Sequence, residues 1–302
     1  MTEISLIEVA VVPIDSREKR VAPPHLWRGE ISIPKTAEIR YFSIRGGETE
    51  NPFTGEIDRI FIFFPGLGIS SQEINNKWDF YYLLVMSLLA KKIPNALLVT
   101  LDPPGWGGSN ILGKPEEVLS PRGKATIIKE TTNNILNRVG GKPEICFIGH
   151  SSGGLAVAWS AWEEAFPKAT YILDAPSGVG FDRLMTRTSA LTARLHPRLF
   201  DSLNRAGQNY ALNAFGCYDE YTRMVVQQLI NNPENHRIEA TEETKAQLPL
   251  NLIRERMRIV GGENDRLVNT CGMGAILIPG AGHFAARTHP AQWIEASGIS
   301  GN

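Results

Sequence analysis

The segment GHSSG at 149–153 has the spacing of a sharp turn that presents a serine nucleophile. It comes directly after an apolar run at 144–148 and directly before a helical pattern at 155–166. Glycines two positions before and after Ser151 remove side chains that would collide in such a turn. Because a helix N-terminus favours negative charge, an oxygen placed there is well suited to nucleophilic attack. The pattern therefore predicts a strand, a turn and a helix, with Ser151 as the nucleophile.

Two later segments carry residue types that would activate a serine. His283 lies in a glycine-flanked loop, and such a loop can bring an imidazole to a serine that is distant in sequence. Asp265 lies in the loop GGENDRLV at 261–268, directly after an apolar run. A carboxylate that accepts a hydrogen bond from imidazole fixes the tautomer and stabilises the imidazolium. Histidine and aspartate are residue types that can serve a serine nucleophile as its base and as the acid that orients the base.

Alternating strand and helix patterns would position these residues. Strands are predicted at 5–13, 38–44, 59–64, 96–101, 144–148, 169–173, 257–260 and 275–278, and helices at 80–91, 121–138, 155–166 and 291–296. This alternation predicts an α/β fold with a mostly parallel central sheet and helices on both faces. The proline-containing segment 21–35 is predicted to be a connection.

The alternation stops between residues 177 and 250, where helical patterns such as 219–230 occur without a convincing strand. We therefore expect a helical cap at 177–250, inserted into a core formed by 1–176 and 251–302. Apolar and aromatic residues of this segment either line a pocket or pack the cap helices on one another. They are Phe181, Leu184, Met185, Leu191, Phe215, Tyr218, Tyr221 and Met224.

The composition narrows the class of partner. With 302 residues, 42% of them hydrophobic, the chain can bury one sizeable core. The 31 Lys and Arg nearly balance the 32 Asp and Glu, which disfavours nucleic acid and anionic membranes and favours a small-molecule substrate. Three widely spaced cysteines argue against a disulfide framework or a zinc site and suggest a reducing compartment. Without a signal peptide or an apolar run of about 20 residues, we expect a cytoplasmic protein with no membrane span.

Two more loops, together with the segments described above, have the pattern of a known family. FPGLG at 64–68 follows one apolar run, and DPPGWGGS at 102–109 follows the next. With the segments around Ser151, Asp265 and His283, they resemble the α/β-hydrolase superfamily from about residue 38 to 297, in the family's order of serine, acid and histidine. The FPG form is similar to that of some thioesterases.

The resemblance implies that Ser151 is the nucleophile, His283 its base and Asp265 the acid, and it also implies roles for the other two loops. The backbone N–H groups of Leu67 and Ser152 would form the oxyanion hole, while the 102–109 turn would be structural. The short segment between Asp265 and His283 leaves little room for a full helix, so Asp174, which follows another predicted strand, is the alternative acid.

The activity implied is that of a serine hydrolase. It would cleave a carboxylic ester or thioester of a small, largely apolar substrate through an acyl-enzyme on Ser151, with no metal and no organic cofactor. Two alternatives stay open: a lyase or isomerase that uses the same three residues for proton transfer, and a slow-turnover ligand-binding receptor. The sequence makes no prediction about the oligomeric state.

Overall fold

A computed structural model describes most of the chain. The described residues are 5–7, 26–46, 49, 51–74, 77–179, 217, 219–246, 248, 256–265, 267–268 and 270–299. Most of the predicted cap, 177–250, lies outside them, so the domain boundaries stay a prediction. Of the cap residues named above, Phe181, Leu184, Met185, Leu191, Phe215 and Tyr218 lie outside the described residues.

A central sheet organises the described residues. Its strands are β1 (Ser5–Ile7), β2 (Leu26–Ile33), β3 (Ala37–Arg45), β4 (Arg59–Phe64), β7 (Ala96–Leu101), β8 (Asn110–Ile111), β9 (Glu144–His150), β10 (Thr170–Asp174), β11 (Met257–Gly262) and β12 (Ile276–Ile278). The spatial order is β1-β2-β3-β7-β4-β9-β10-β11-β12, with β8 paired to β3. The strands from β7 to β12 along this order pair in parallel, and β1, β2 and β3 pair antiparallel. A separate hairpin contains β5 (Gln72–Ile74) and β6 (Lys77–Asp79).

Helices cover both faces of this sheet. They are α1 (Leu83–Lys92), α2 (Pro115–Val118), α3 (Pro121–Val139), α4 (Ser152–Trp162), α5 (Glu220–Asn231), α6 (Pro233–Lys245), α7 (Ala285–Thr288) and α8 (Pro290–Ser297). Strand β4 shows why two layers are needed: Phe61 and Phe63 join the cluster beneath α1 and α8, and Ile60, Ile62 and Phe64 join the cluster beneath α3 and α4. The alternation of side chains in a strand sends an all-apolar run to both faces.

The predicted fold class is confirmed, and one element of the pattern was wrong. The segment 21–35, predicted to be a connection, contains the eight-residue strand β2. Arg28, Gly29 and Glu30 have weak strand preference. The strand forms because it pairs along its length with β3 and buries Leu26 and Ile31.

Candidate active site

Ser151 occupies the turn between β9 and α4, as the sequence predicts. Its backbone has φ 51° and ψ −121°, a conformation that is costly for a residue with a side chain. The Ser151 N–H donates to the carbonyl oxygen of Asp174 at 2.9 Å, and the Ser151 carbonyl accepts from Ser177 N at 3.0 Å. Ser151 is partly exposed, whereas His150 and Ser152 on either side are buried. The turn therefore presents one serine and covers its neighbours.

The loop after β4 lies directly against this serine. A Cβ atom added to Gly66 would be 2.9 Å from the Cβ of Ser151, so only glycine allows the approach. A Cβ atom on Gly153 would collide with the carbonyl oxygens of Phe64 and Pro65. Leu67 follows Gly66, and Ser152 is the first residue of α4, where backbone N–H groups have no partner within the helix. The residues of the two predicted oxyanion donors thus lie on segments that contact each other at the nucleophile, one in the loop after β4 and one at the start of α4.

His283 and Asp265 are hydrogen-bonded to each other. Nδ1 of His283 lies 2.8 Å from Oδ2 of Asp265, and both side chains are almost fully buried. The other carboxylate oxygen, Oδ1, accepts the backbone N–H groups of Leu267 at 2.8 Å and Val268 at 3.0 Å. Burial acts to raise the pKa of Asp265, but His283 and these donors outweigh it and lower the pKa. A short 3₁₀ turn at Cys271–Met273 makes the connection to β12 without a full helix.

Asp174, the alternative acid, has different partners. Its Oδ2 accepts hydrogen bonds from the hydroxyls of Tyr81 at 3.0 Å and Tyr82 at 3.3 Å. Nδ1 of His150 is 3.2 Å away but is not aligned as a hydrogen bond. Burial lowers the pKa of His150, against the opposing effect of Asp174. The His150 ring packs between Tyr81, at 4.2 Å between ring centroids, and His283, at 4.6 Å. Sequence reasoning missed this cluster because Tyr81 and Tyr82 lie in an apolar helical pattern.

The 102–109 turn is hydrogen-bonded through Asp102 to a neighbouring loop. Asp102 is buried and accepts the Ser71 N–H at 2.7 Å and the Ser71 hydroxyl at 2.6 Å. Burial raises the pKa of Asp102 to about 6, although these donors oppose the shift. The carboxylate therefore ties this turn to the segment that follows the Gly66 loop.

Helix α5 is held over the same loop. Leu229 packs where a Cβ atom on Gly68 would be, and the Tyr221 hydroxyl donates to the carbonyl oxygen of Ser70 at 3.1 Å. Tyr221 is fully buried, so it packs α5 onto the core.

Arg287 in α7 pairs with Asp79 of β6 and with Asp219, the N-cap residue of α5. These contacts bring α5 close to the loop that carries His283.

Two further features of the described residues concern metal binding and the membrane. No group of three or more His, Cys, Asp or Glu side chains in the described ranges is arranged to hold a metal ion. Among the helices that the structure describes, none is both long enough and apolar enough to cross a bilayer.

Comparison with known proteins identifies the fold family. The model described as the alpha/beta hydrolase family matches residues 61–296 of this sequence. The chain belongs to this family. Among the curated proteins, none matches the sequence. Family membership supports a hydrolase as the class of activity.

Solved structures share the fold of this alpha/beta hydrolase at low identity. The N-acyl homoserine lactonase AidH, complexed with N-butanoyl homoserine, is 15% identical with a TM-score of 0.63, and the match covers 90% of this chain and 98% of that one. A thermophilic esterase from Thermogutta terrifontis is 14% identical with a TM-score of 0.59, covering 89% and 96%. A bromoperoxidase from Bacillus anthracis is 15% identical with a TM-score of 0.56, covering 86% and 94%. A lactonase, an esterase and a bromoperoxidase thus share one fold, so the fold does not determine the substrate.

Proposed function

We propose that this alpha/beta hydrolase is a serine hydrolase that cleaves a carboxylic ester or thioester of a small, largely apolar substrate. The observation that carries the proposal is the strained Ser151 turn, partly exposed, next to a loop whose glycine contacts it. The buried His283–Asp265 hydrogen bond supplies a base whose tautomer is fixed. The widely spaced cysteines support a cytoplasmic location for the reaction.

The proposed reaction has two halves. Ser151 Oγ attacks the substrate carbonyl carbon while its proton passes to His283, and the charge on the carbonyl oxygen is held by the N–H groups of Leu67 and Ser152. Asp265 stabilises the imidazolium that forms. His283 then donates the proton to the departing alcohol or thiol, which leaves an acyl-enzyme on Ser151. Water, deprotonated by His283, releases the acid and restores the serine.

The decisive experiment is intact-mass spectrometry after incubation with a fluorophosphonate, comparing the native chain with Ser151→Ala. We expect one adduct on the native chain and none on the variant, and a fall in kcat of about 10⁶-fold for p-nitrophenyl esters. Ser160→Ala is the matched control, since the Ser160 hydroxyl is buried in α4 without a hydrogen-bond partner among the described residues.

Each result has a distinct meaning. An adduct on Ser151→Ala, or full activity in that variant, would overturn the assignment of the nucleophile. A folded native chain that forms no adduct and hydrolyses no ester would instead favour the lyase, isomerase or receptor alternatives. Esters and acyl thioesters of increasing chain length, assayed with the native chain, then separate the two substrate classes.

A further inference from the structure

A buried ionic cluster lies beside the nucleophile turn, on residues that the reaction above does not use. Lys124 of α3 and Glu239 of α6 are in direct contact, with their side chains 1% and 0% exposed. Lys124 Nζ donates to the Ser152 hydroxyl at 2.7 Å, and that hydroxyl donates to Oε1 of Glu239 at 2.7 Å. Trp106 Nε1 donates to the second oxygen, Oε2, at 3.0 Å. Both oxygens of Glu239 therefore have donors, and the side chain of Ser152 lies inside the cluster.

Such a cluster is expensive to bury. Each ion loses hydration worth several kcal/mol, and an apolar set of similar volume is often at least as stable. A contribution to folding stability therefore explains poorly why Lys124 and Glu239 are buried together. What the pair does provide is a rigid, fully bonded environment for one residue, Ser152, whose hydroxyl is bonded to both charges.

The next turn of α6 reaches the other side of the nucleophile. Glu243 accepts a hydrogen bond from the Ser177 hydroxyl at 3.3 Å, and the Ser177 N–H donates to the carbonyl oxygen of Ser151. Glu243 also lies 3.8 Å from Lys124. Helix α6 thus contacts the residue after the nucleophile directly and the nucleophile's own carbonyl through one intermediate.

We infer that Lys124 and Glu239 are positioning residues for the oxyanion site. Their hydrogen bonds fix the Ser152 side chain. They thereby hold the Ser152 backbone N–H at the position where the substrate carbonyl oxygen becomes negative. The inference rests on the proposed function, because it gives Ser152 N–H the role of oxyanion donor. The charge on that oxygen is fully developed only after attack, so a displaced donor lowers kcat while KM changes little.

The test compares Glu239→Gln, Lys124→Met and Ser152→Ala with the native chain. Each variant keeps the Ser152 backbone N–H. Ser152→Ala removes both bonds of the Ser152 side chain, Lys124→Met removes the one from Lys124, and Glu239→Gln removes the negative charge and one of the two acceptor oxygens. We expect kcat for a p-nitrophenyl ester, divided by the number of serines that a fluorophosphonate labels, to fall by about 10- to 100-fold, with KM within about threefold. The double variant Ser152→Ala/Glu239→Gln should lose no more kcat than either single variant, because both changes disrupt the same group of hydrogen bonds.

Two controls separate positioning from general loosening. Asn235→Ala removes the bond from Nδ2 of Asn235 to the Gly105 carbonyl, another contact of α6 with the core, and should leave kcat unchanged. The apolar pair Lys124→Met/Glu239→Leu removes the two fully buried charges together and leaves Glu243, whose side chain is 14% exposed, as the remaining charge, so it should fold and still show the kcat loss.

The outcomes are distinguishable. A native chain that is labelled and active, with Ser152→Ala and the apolar pair within threefold of its kcat, would overturn the positioning role and leave the proposed function intact. A loss that Asn235→Ala shares would also overturn it, in favour of loosened docking of α6. A native chain that is neither labelled nor active overturns the proposed function and the positioning role together.

Discussion

Two histidine–aspartate pairs lie side by side at the carboxyl edge of the sheet, and they use their carboxylates differently. In the first pair, Asp265 bonds the His283 ring through one oxygen and two backbone N–H groups through the other. In the second, one oxygen of Asp174 accepts two tyrosine hydroxyls, Oδ1 has no partner in the described part of the chain, and the His150 ring is out of line. Of the two carboxylates, only Asp265 therefore orients a histidine, because only there does a loop place the imidazole ring in line with a carboxylate oxygen.

The difference predicts that the two histidines are unequal. We expect His283→Ala to lower kcat by about 10⁶-fold, because the proposed base is removed. His150→Asn removes a ring that packs on His283 but accepts no proton in the proposed reaction, so a loss of about 10-fold is expected. Steady-state assays with a p-nitrophenyl ester, normalised to the labelled serine, measure both. Equal losses in the two variants would mean that His150 takes part in proton transfer.

Replacing the two aspartates should also give unequal losses of kcat, but the difference should be smaller than for the two histidines. We expect Asp265→Asn to lower kcat by about 10⁴-fold, since the amide no longer fixes the tautomer of His283 or stabilises its cation. Asp174→Asn should cost about 10-fold or less, because Tyr81 and Tyr82 are its hydrogen-bonding partners. The same assay tests both. The reverse order would transfer the role of acid to Asp174.

The smallest expected effect is on stability in acid. Because the pKa of Asp265 is lowered in the folded chain, the unfolded chain binds more protons as pH falls, and the stability from this carboxylate is lost below about pH 4. Asp265→Asn removes a titrating group, so its Tm should fall less between pH 6 and pH 3 than that of the native chain. Some slope remains, since Arg287 and other partners also lower the pKa of Asp219 despite its partial burial. An unchanged slope would contradict the expected contribution of Asp265.

The local patterns of the sequence predict most strands of the sheet and its mostly parallel pairing. The run IFIFF at 60–64 is apolar at every position, and only a strand covered on both faces buries such a run fully. The glycines around Ser151 similarly identify a turn, because a Cβ atom on Gly149 or Gly153 would collide with backbone atoms, and Gly280 before His283 has a φ of 74°, which favours glycine. Local patterns do not predict strand β2, because its conformation depends on pairing with β3. It also depends on Gly29, which leaves room for the ring of Tyr41.

Helix α6 shows most clearly what a local pattern cannot give. Its sequence, PENHRIEATEETK, is that of a solvated helix, yet Glu239 is fully buried. The reason is Lys124, a partner 115 positions earlier in the chain, which comes into contact only when α3 and α6 pack together. No periodicity within thirteen residues carries that information.

The sequence by itself determined the fold family, the turn that carries Ser151 and the candidate histidine, because each depends on residue types within a few positions of one another. It left open the choice between Asp265 and Asp174, since both follow strands in the parallel sheet. Only the tertiary structure decided which carboxylate meets His283 and which buried charges surround Ser152. Those contacts are set by the packing of loops and helices that are far apart in the chain, and burial makes the polar groups depend on finding each other there.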